Sequence, residues 1–120
     1  MGLGVGQTPV MPDARSELEP PIAAMLDATN RGDPDGFLAA FADDAVLVDW
    51  GRTFSGKAEI ARWDANENIG VQSHIEATSV QREGDTSVVG VQVSGNGYNG
   101  GGSFVFETGG GLIRRVEIRG

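Results

Sequence analysis

The spacing of apolar positions changes once along this chain, and the change divides it into a helical part and a stranded part. Ile22, Met25, Leu26 and Thr29 recur at intervals of three and four, the repeat of one helix face. Ser16 and Glu19 have capping-box spacing, Pro20 and Pro21 suit a first helical turn, and Gly32 provides a stop. Asp33-Pro34 then restarts the chain as N-cap and first helical residue, with Phe37, Leu38 and Phe41 as the apolar stripe of a short second helix. The two helices should form a hairpin. Ala45-Val46-Leu47-Val48-Asp49-Trp50 is apolar and β-branched and is stopped by Gly51, which reads as a strand carrying one acid. Alternation puts Asp49 on the face of Leu47, with Val46, Val48 and Trp50 on the other. A third helix is predicted from Ser55 to about Asn68, with Ile60 and Trp63 on its narrow apolar stripe and Gly70 ending it.

Beyond Gly70 the period drops from that of a helix to 2, and glycine-centred turns fall at hairpin intervals: Glu83-Gly84-Asp85, Gly95 to Gly102, and Gly109 to Gly111. Val89, Val91 and Val93 share one strand face, Phe104 and Phe106 another, and Val116 and Ile118 mark a last strand. Helices first and an antiparallel meander second make an α+β domain. Residues 1–15 read as a flexible leader and 16–120 as a single domain, with no internal repeat.

The run Asn30-Arg31-Gly32-Asp33-Pro34-Asp35-Gly36-Phe37, followed by Phe41-Ala42-Asp43-Asp44-Ala45 and by Ser55-Gly56-Lys57 opening a helix with Ile60 and Trp63, resembles the nuclear transport factor 2-like superfamily. Within it the pattern is similar to the SnoaL-like and ketosteroid-isomerase-like branch, over about Glu19 to Arg119. The resemblance implies a curved sheet wrapped around the long first helix, forming a cone with an apolar pocket, and a homodimer packed through the sheet. Its members include isomerases, cyclases, hydrolases and pure binding modules, so fold and function separate here. A small-molecule pocket protein is the expectation, acting as an acid/base isomerase or cyclase on an apolar carbonyl compound. A binding or protein-interaction module of the same fold is the alternative.

Composition narrows the partners. Nine basic against seventeen acidic residues give a net charge of −8, which repels phosphate backbones and anionic membranes, so neither nucleic acid nor a lipid surface is expected. No stretch is long and apolar enough to span a bilayer, and the first residues lack a signal-peptide pattern, which points to the cytoplasm. There is no cysteine, hence no disulfide and no thiolate chemistry. A single histidine and scattered carboxylates make no metal-ligand pattern, and no cofactor is expected. Gly95-Asn96-Gly97-Tyr98-Asn99-Gly100 spells G-x-G-x-x-G, but the dinucleotide mechanism needs a following helix, and Ser103-Phe104-Val105-Phe106 reads as a strand.

Candidate chemistry centres on Asp49. By resemblance it matches the position of the aspartate that moves a proton between carbons beside a carbonyl, and a strand-end carboxylate between Val48 and Trp50 could be desolvated enough to act as a base. A strand-end aspartate bound to water or backbone is the other reading. Arg52 could pair with it and weaken it as a base. The resemblance also implies oxyanion donors, yet its first-helix tyrosine position falls on Met25 and its protonated-acid position near Gly102, neither of which donates. Tyr98, His74, Trp50, Trp63, Asn66 and Asn68 are the substitutes available. His74, by likeness to the cyclase branch, and Tyr98 join Asp49 as catalytic candidates, each with a surface or packing role as its alternative. Met25, Phe41, Leu47, Trp50, Trp63 and Phe104 are the candidate pocket wall, with core packing as the alternative.

Overall fold

A computed structural model describes residues 14–120; most of the expected leader, up to residue 13, lies outside the described residues. Ala14–Glu17 form a short 3-10 turn. Helix α1 (Pro20–Arg31) starts at Glu19, not at Ser16, and makes no side-chain capping bond. Two prolines fill its first positions and bring no N–H to be capped. The Glu19 carboxylate instead reaches the sheet, accepting from the Thr108 hydroxyl at 2.6 Å and from Arg82 at 2.8 Å. Gly32 ends the helix at φ 70°, the left-handed conformation glycine adopts without a Cβ penalty. Helix α2 (Pro34–Ala39) is capped as the sequence predicts, with Asp33 accepting from the Gly36 N–H at 3.0 Å.

Phe41 does not belong to α2. It opens strand β1 (Phe41–Asp49), which is longer than predicted because its start pairs with the last strand, Phe41 facing Ile113. Strand β2 (Arg52–Ser55) has one apolar residue and no visible alternation, so periodicity missed it. It exists because Trp50 and Gly51 both take positive φ, 52° and 82°, and close a two-residue hairpin that sets Asp49 opposite Arg52. Helix α3 (Gly56–Glu67) follows, then a 3-10 turn, Ile69–Val71. The meander is β3 (His74–Glu83), β4 (Thr86–Ser94), β5 (Gly100–Gly109) and β6 (Leu112–Arg119).

One six-stranded sheet results, in the order β2-β1-β6-β5-β4-β3. Every pairing is antiparallel except β1 with β6. Register shifts between Ala77 and Ser79 and between Glu107 and Thr108 bend the strands, and the sheet stays open at β2 and β3, as a cone-like fold requires. Helix α1 packs against β3 and β6, and α3 against β1 and β2. Between the layers lie Ile22, Met25, Phe37, Phe41, Leu47, Val89, Phe106 and Val116, all fully buried. The Phe37 ring stands 5.1 Å from Phe41 and 6.2 Å from Trp63, centroid to centroid.

Candidate functional site

A cavity of about 290 Å³ opens between the end of α3 and the concave face of the sheet. Ile75, Val91, Val93, Phe104 and Ile118 form its apolar wall, and Asp49, Arg52, Trp63, Asn68 and Ser73 bring polar atoms to it. Alternation in β1 turns Ala45, Leu47 and Asp49 inward, so Asp49 is placed by the same geometry that places core residues. It is 7 % exposed. Both its hydrogen bonds end on one oxygen: Oδ2 accepts from the Trp63 indole N–H at 2.9 Å and from Arg52 Nη2 at 2.7 Å.

Among the described residues no buried side-chain nitrogen or oxygen lacks a partner. Oδ1 of Asp49 accepts no bond from them, so it is not sealed in protein, and Asp49 lines the cavity. The carboxylate is thus oriented by one edge and free on the other. Arg52 lies across the β1–β2 hairpin and also donates to both oxygens of Glu67, at 2.6 and 2.7 Å. Glu67 above all, and Asp49 with it, hold the guanidinium further toward its charged form, while Arg52 holds the Glu67 carboxyl below its usual range. The hairpin and the last turn of α3 are joined by this chain of charges.

At the cavity wall a second polar group ties α3 to α1. Asn68, 2 % exposed, donates from Nδ2 to Asp64 Oδ1 at 2.9 Å and to Thr29 Oγ1 at 3.1 Å. The Thr29 hydroxyl donates to the Met25 carbonyl at 3.0 Å, and the Ile69 N–H donates to Asp64 Oδ1 at 3.4 Å. Burial pushes the Asp64 carboxyl up, against the opposing bonds from Asn68 and Ile69.

Residues 22–116 match the family model of the SnoaL-like domain. The chain belongs to the SnoaL-like family. Its fold is shared with a proposed polyketide cyclase of Sinorhizobium meliloti, 27 % identical over 88 % of this chain and 98 % of that one, at a TM-score of 0.78. A Mycobacterium tuberculosis protein crystallised with estradiol-17beta-hemisuccinate is 16 % identical over 82 % of this chain and 88 % of its own, at 0.74. The Δ5-3-ketosteroid isomerase of a Mycobacterium species is 20 % identical over 86 % and 94 %, at 0.71. No curated protein matches the sequence.

Within this SnoaL-like domain the candidate residues separate into three groups. Asp49, Trp63 and Phe104 lie on the cavity wall, and Trp50 and Tyr98 at its rim, 67 % and 52 % exposed. The Tyr98 hydroxyl already donates to the Gly101 carbonyl at 2.8 Å. Met25, Phe41 and Leu47, expected on the wall, are fully buried and do not line the cavity; they pack in the core between the helices and the sheet. His74 is exposed, off the cavity, with Nε2 3.8 Å from Glu76 Oε2. Alternation explains it, since Ile75 points inward and its neighbour must point out.

Gly102 lies on the wall, and a Cβ there would come within 2.7 Å of the Arg119 carbonyl, so an acid at this place would not fit without backbone movement. The 95–100 glycine run is a loop between β4 and β5, stitched by Asn99 Nδ2 donating to the Gly95 carbonyl at 2.8 Å. Among the described residues no group of three histidine, aspartate or glutamate side chains could hold a metal ion. Sequence reasoning passed over Glu67 and Ser73. Glu67 lies one helical turn after Trp63, a spacing that could have flagged it. Ser73 carries no such signal.

Proposed function

We propose that this domain takes a small, mostly apolar carbonyl compound into the cavity and that Asp49 moves a proton on it as general base, without a cofactor. The observation that carries the reading is the half-clamped carboxylate. Trp63 and Arg52 fix Oδ2, which leaves Oδ1 at a defined angle toward a bound carbon acid, and positioning of this kind is where much of general-base catalysis comes from. The negative oxygen that develops on the substrate needs a donor. Ser73 is the buried candidate: its side chain lines the cavity and its hydroxyl bonds to no other described residue. The steroid derivative in the Mycobacterium tuberculosis neighbour, and the activity named for the Mycobacterium isomerase, support an apolar ligand of this general class.

The test uses 2-tetralone, an apolar ketone with acidic α-hydrogens, in deuterated buffer, with α-exchange followed by proton NMR. Wild-type protein should accelerate exchange, and Asp49→Asn should lower the acceleration by about 10²-fold or more. Equal rates would end the base assignment. A second reading, binding without turnover, is favoured by the missing donors at Met25 and Gly102 and by the ion pair that Arg52 makes with Asp49. It expects 2-tetralone to bind by calorimetry with no exchange above buffer. As part of the same reading, the chain is a homodimer packed through the outer sheet face, where Val88 is exposed; light scattering reads the mass.

A further inference from the structure

Asn68 is more deeply buried than Asp49 or Ser73, and its amide can face only one way. Both neighbours of its Nδ2 are acceptors. Thr29 uses its hydroxyl hydrogen on the Met25 carbonyl, so toward Asn68 its oxygen can only accept. Asp64 Oδ1 already takes the Ile69 N–H and takes Nδ2 beside it. Reversing the amide would set its carbonyl oxygen against these acceptors and strand its donors in the cavity. Burial pushes the Asp64 carboxyl up, but a proton there goes to Oδ2, because Oδ1 already accepts the Ile69 N–H, so Oδ1 remains an acceptor for Nδ2 in either charge state.

The remaining atom is Oδ1. It accepts no bond among the described residues, and no buried polar side-chain atom there lacks a partner, so Oδ1 opens on the cavity that Asn68 lines. Two orientation-fixed oxygens therefore face the ligand, Oδ1 of Asn68 and Oδ1 of Asp49, and both are acceptors. A ligand that fills this space with acceptors alone leaves them desolvated and unpaired, which is costly.

Resting on the reading that the cavity takes a small apolar molecule, we propose that the Asn68 carbonyl oxygen is a specificity-determining ligand contact, and that the cavity selects molecules carrying a hydroxyl over molecules of the same shape carrying only acceptors. The substrate class narrows to a hydroxylated apolar carbonyl compound, its hydroxyl donating to Asn68 while the carbon beside its carbonyl meets Asp49.

Calorimetric titration with 2-naphthol and 2-methoxynaphthalene tests this. Wild-type protein should bind the naphthol at least about tenfold more tightly, the worth of one satisfied donor–acceptor pair. In Asp49→Asn the donors on Oδ2 hold the amide oxygen there, which turns an NH2 toward the cavity, so any preference left is that of Asn68. That preference should persist in Asp49→Asn and disappear in Asp49→Asn/Asn68→Ala. Equal binding of both probes by the wild type would overturn the inference and leave the pocket reading intact. Binding of neither would remove both. A preference that vanishes in Asp49→Asn alone would assign it to Asp49 and overturn the role of Asn68. Should the Asn68→Ala chain fail to fold, nuclear Overhauser contacts in the wild type decide. Contacts from the Asn68 NH2 protons to Thr29 and none to bound 2-naphthol support the proposal, and contacts to the naphthol ring overturn it.

Discussion

Two neighbouring rows of the same sheet have opposite fates. Leu47, Val116 and Phe106 sit side by side on β1, β6 and β5, and all three are fully buried. Two residues along each strand, Asp49, Ile118 and Phe104 form the next inward row, and they line a cavity. The strands, pleat and face are identical for both rows. What differs is the layer above, because the helices fill the space over the first row and stop short of filling it over the second. Inward direction is therefore a property of the strand, whereas being core or being site is a property of what covers it.

The contrast can be broken most strongly at the first row. Phe106→Ala should cost about 3 to 5 kcal/mol, the range for emptying a packed aromatic site, while Phe104→Ala should cost clearly less because it widens space that already exists. Urea denaturation of both variants measures the difference, and equal losses would erase the distinction between the rows. Next in size, Trp63→Phe keeps an aromatic ring near Phe37 but removes the N–H on Asp49 together with part of the buried indole. It should cost about 1 to 3 kcal/mol in stability, lost hydrogen bond and lost packing together, and should slow α-exchange of 2-tetralone by more than it weakens binding.

A smaller effect concerns pH. Glu67 titrates below its ordinary 4.5 in the folded chain, so its contribution is present above that pH and is lost as pH falls through the lowered value. The stability gap between wild type and Arg52→Gln should accordingly narrow on acidification below about 4.5. Asp64 runs the other way: its raised folded value means a contribution fully present below the ordinary 3.8 and lost as pH rises through the raised value. Asp64→Asn should therefore lose ground to the wild type on acidification, as thermal melts between pH 3 and 7, roughly the carboxylate range, would show. The smallest change expected is His74→Ala, an outward strand residue, which should alter stability by under about 0.5 kcal/mol and leave the binding of 2-naphthol unchanged.

The stop of α1 at Gly32, the start of α2 at Asp33-Pro34, the extent of α3 and the turns of the meander were legible because caps, prolines and glycines act locally, whereas the start of α1 and the end of α2 were not. Alternation likewise set Asp49 on the face of Leu47, and that face is the inward one. Strand β2 was not legible, since Arg52-Thr53-Phe54-Ser55 owes its conformation to the hairpin before it and to its partner strand. Nor was the placement of Met25, Phe41 and Leu47 in the core rather than on the cavity wall. Each is apolar and inward, and such residues look alike whether a helix lies over them or a hollow does.

By itself, then, the sequence determined periodicity, element type and the direction in which each side chain leaves the backbone, because these follow from φ/ψ geometry a few residues long. Only the tertiary structure decided that Trp63 and Arg52 would meet on one oxygen of Asp49, that Thr29 and Asp64 would fix the Asn68 amide, and that β1 would lie parallel to β6. Those contacts join residues from different elements, and their partners are chosen by how the layers stack, which no local spacing records.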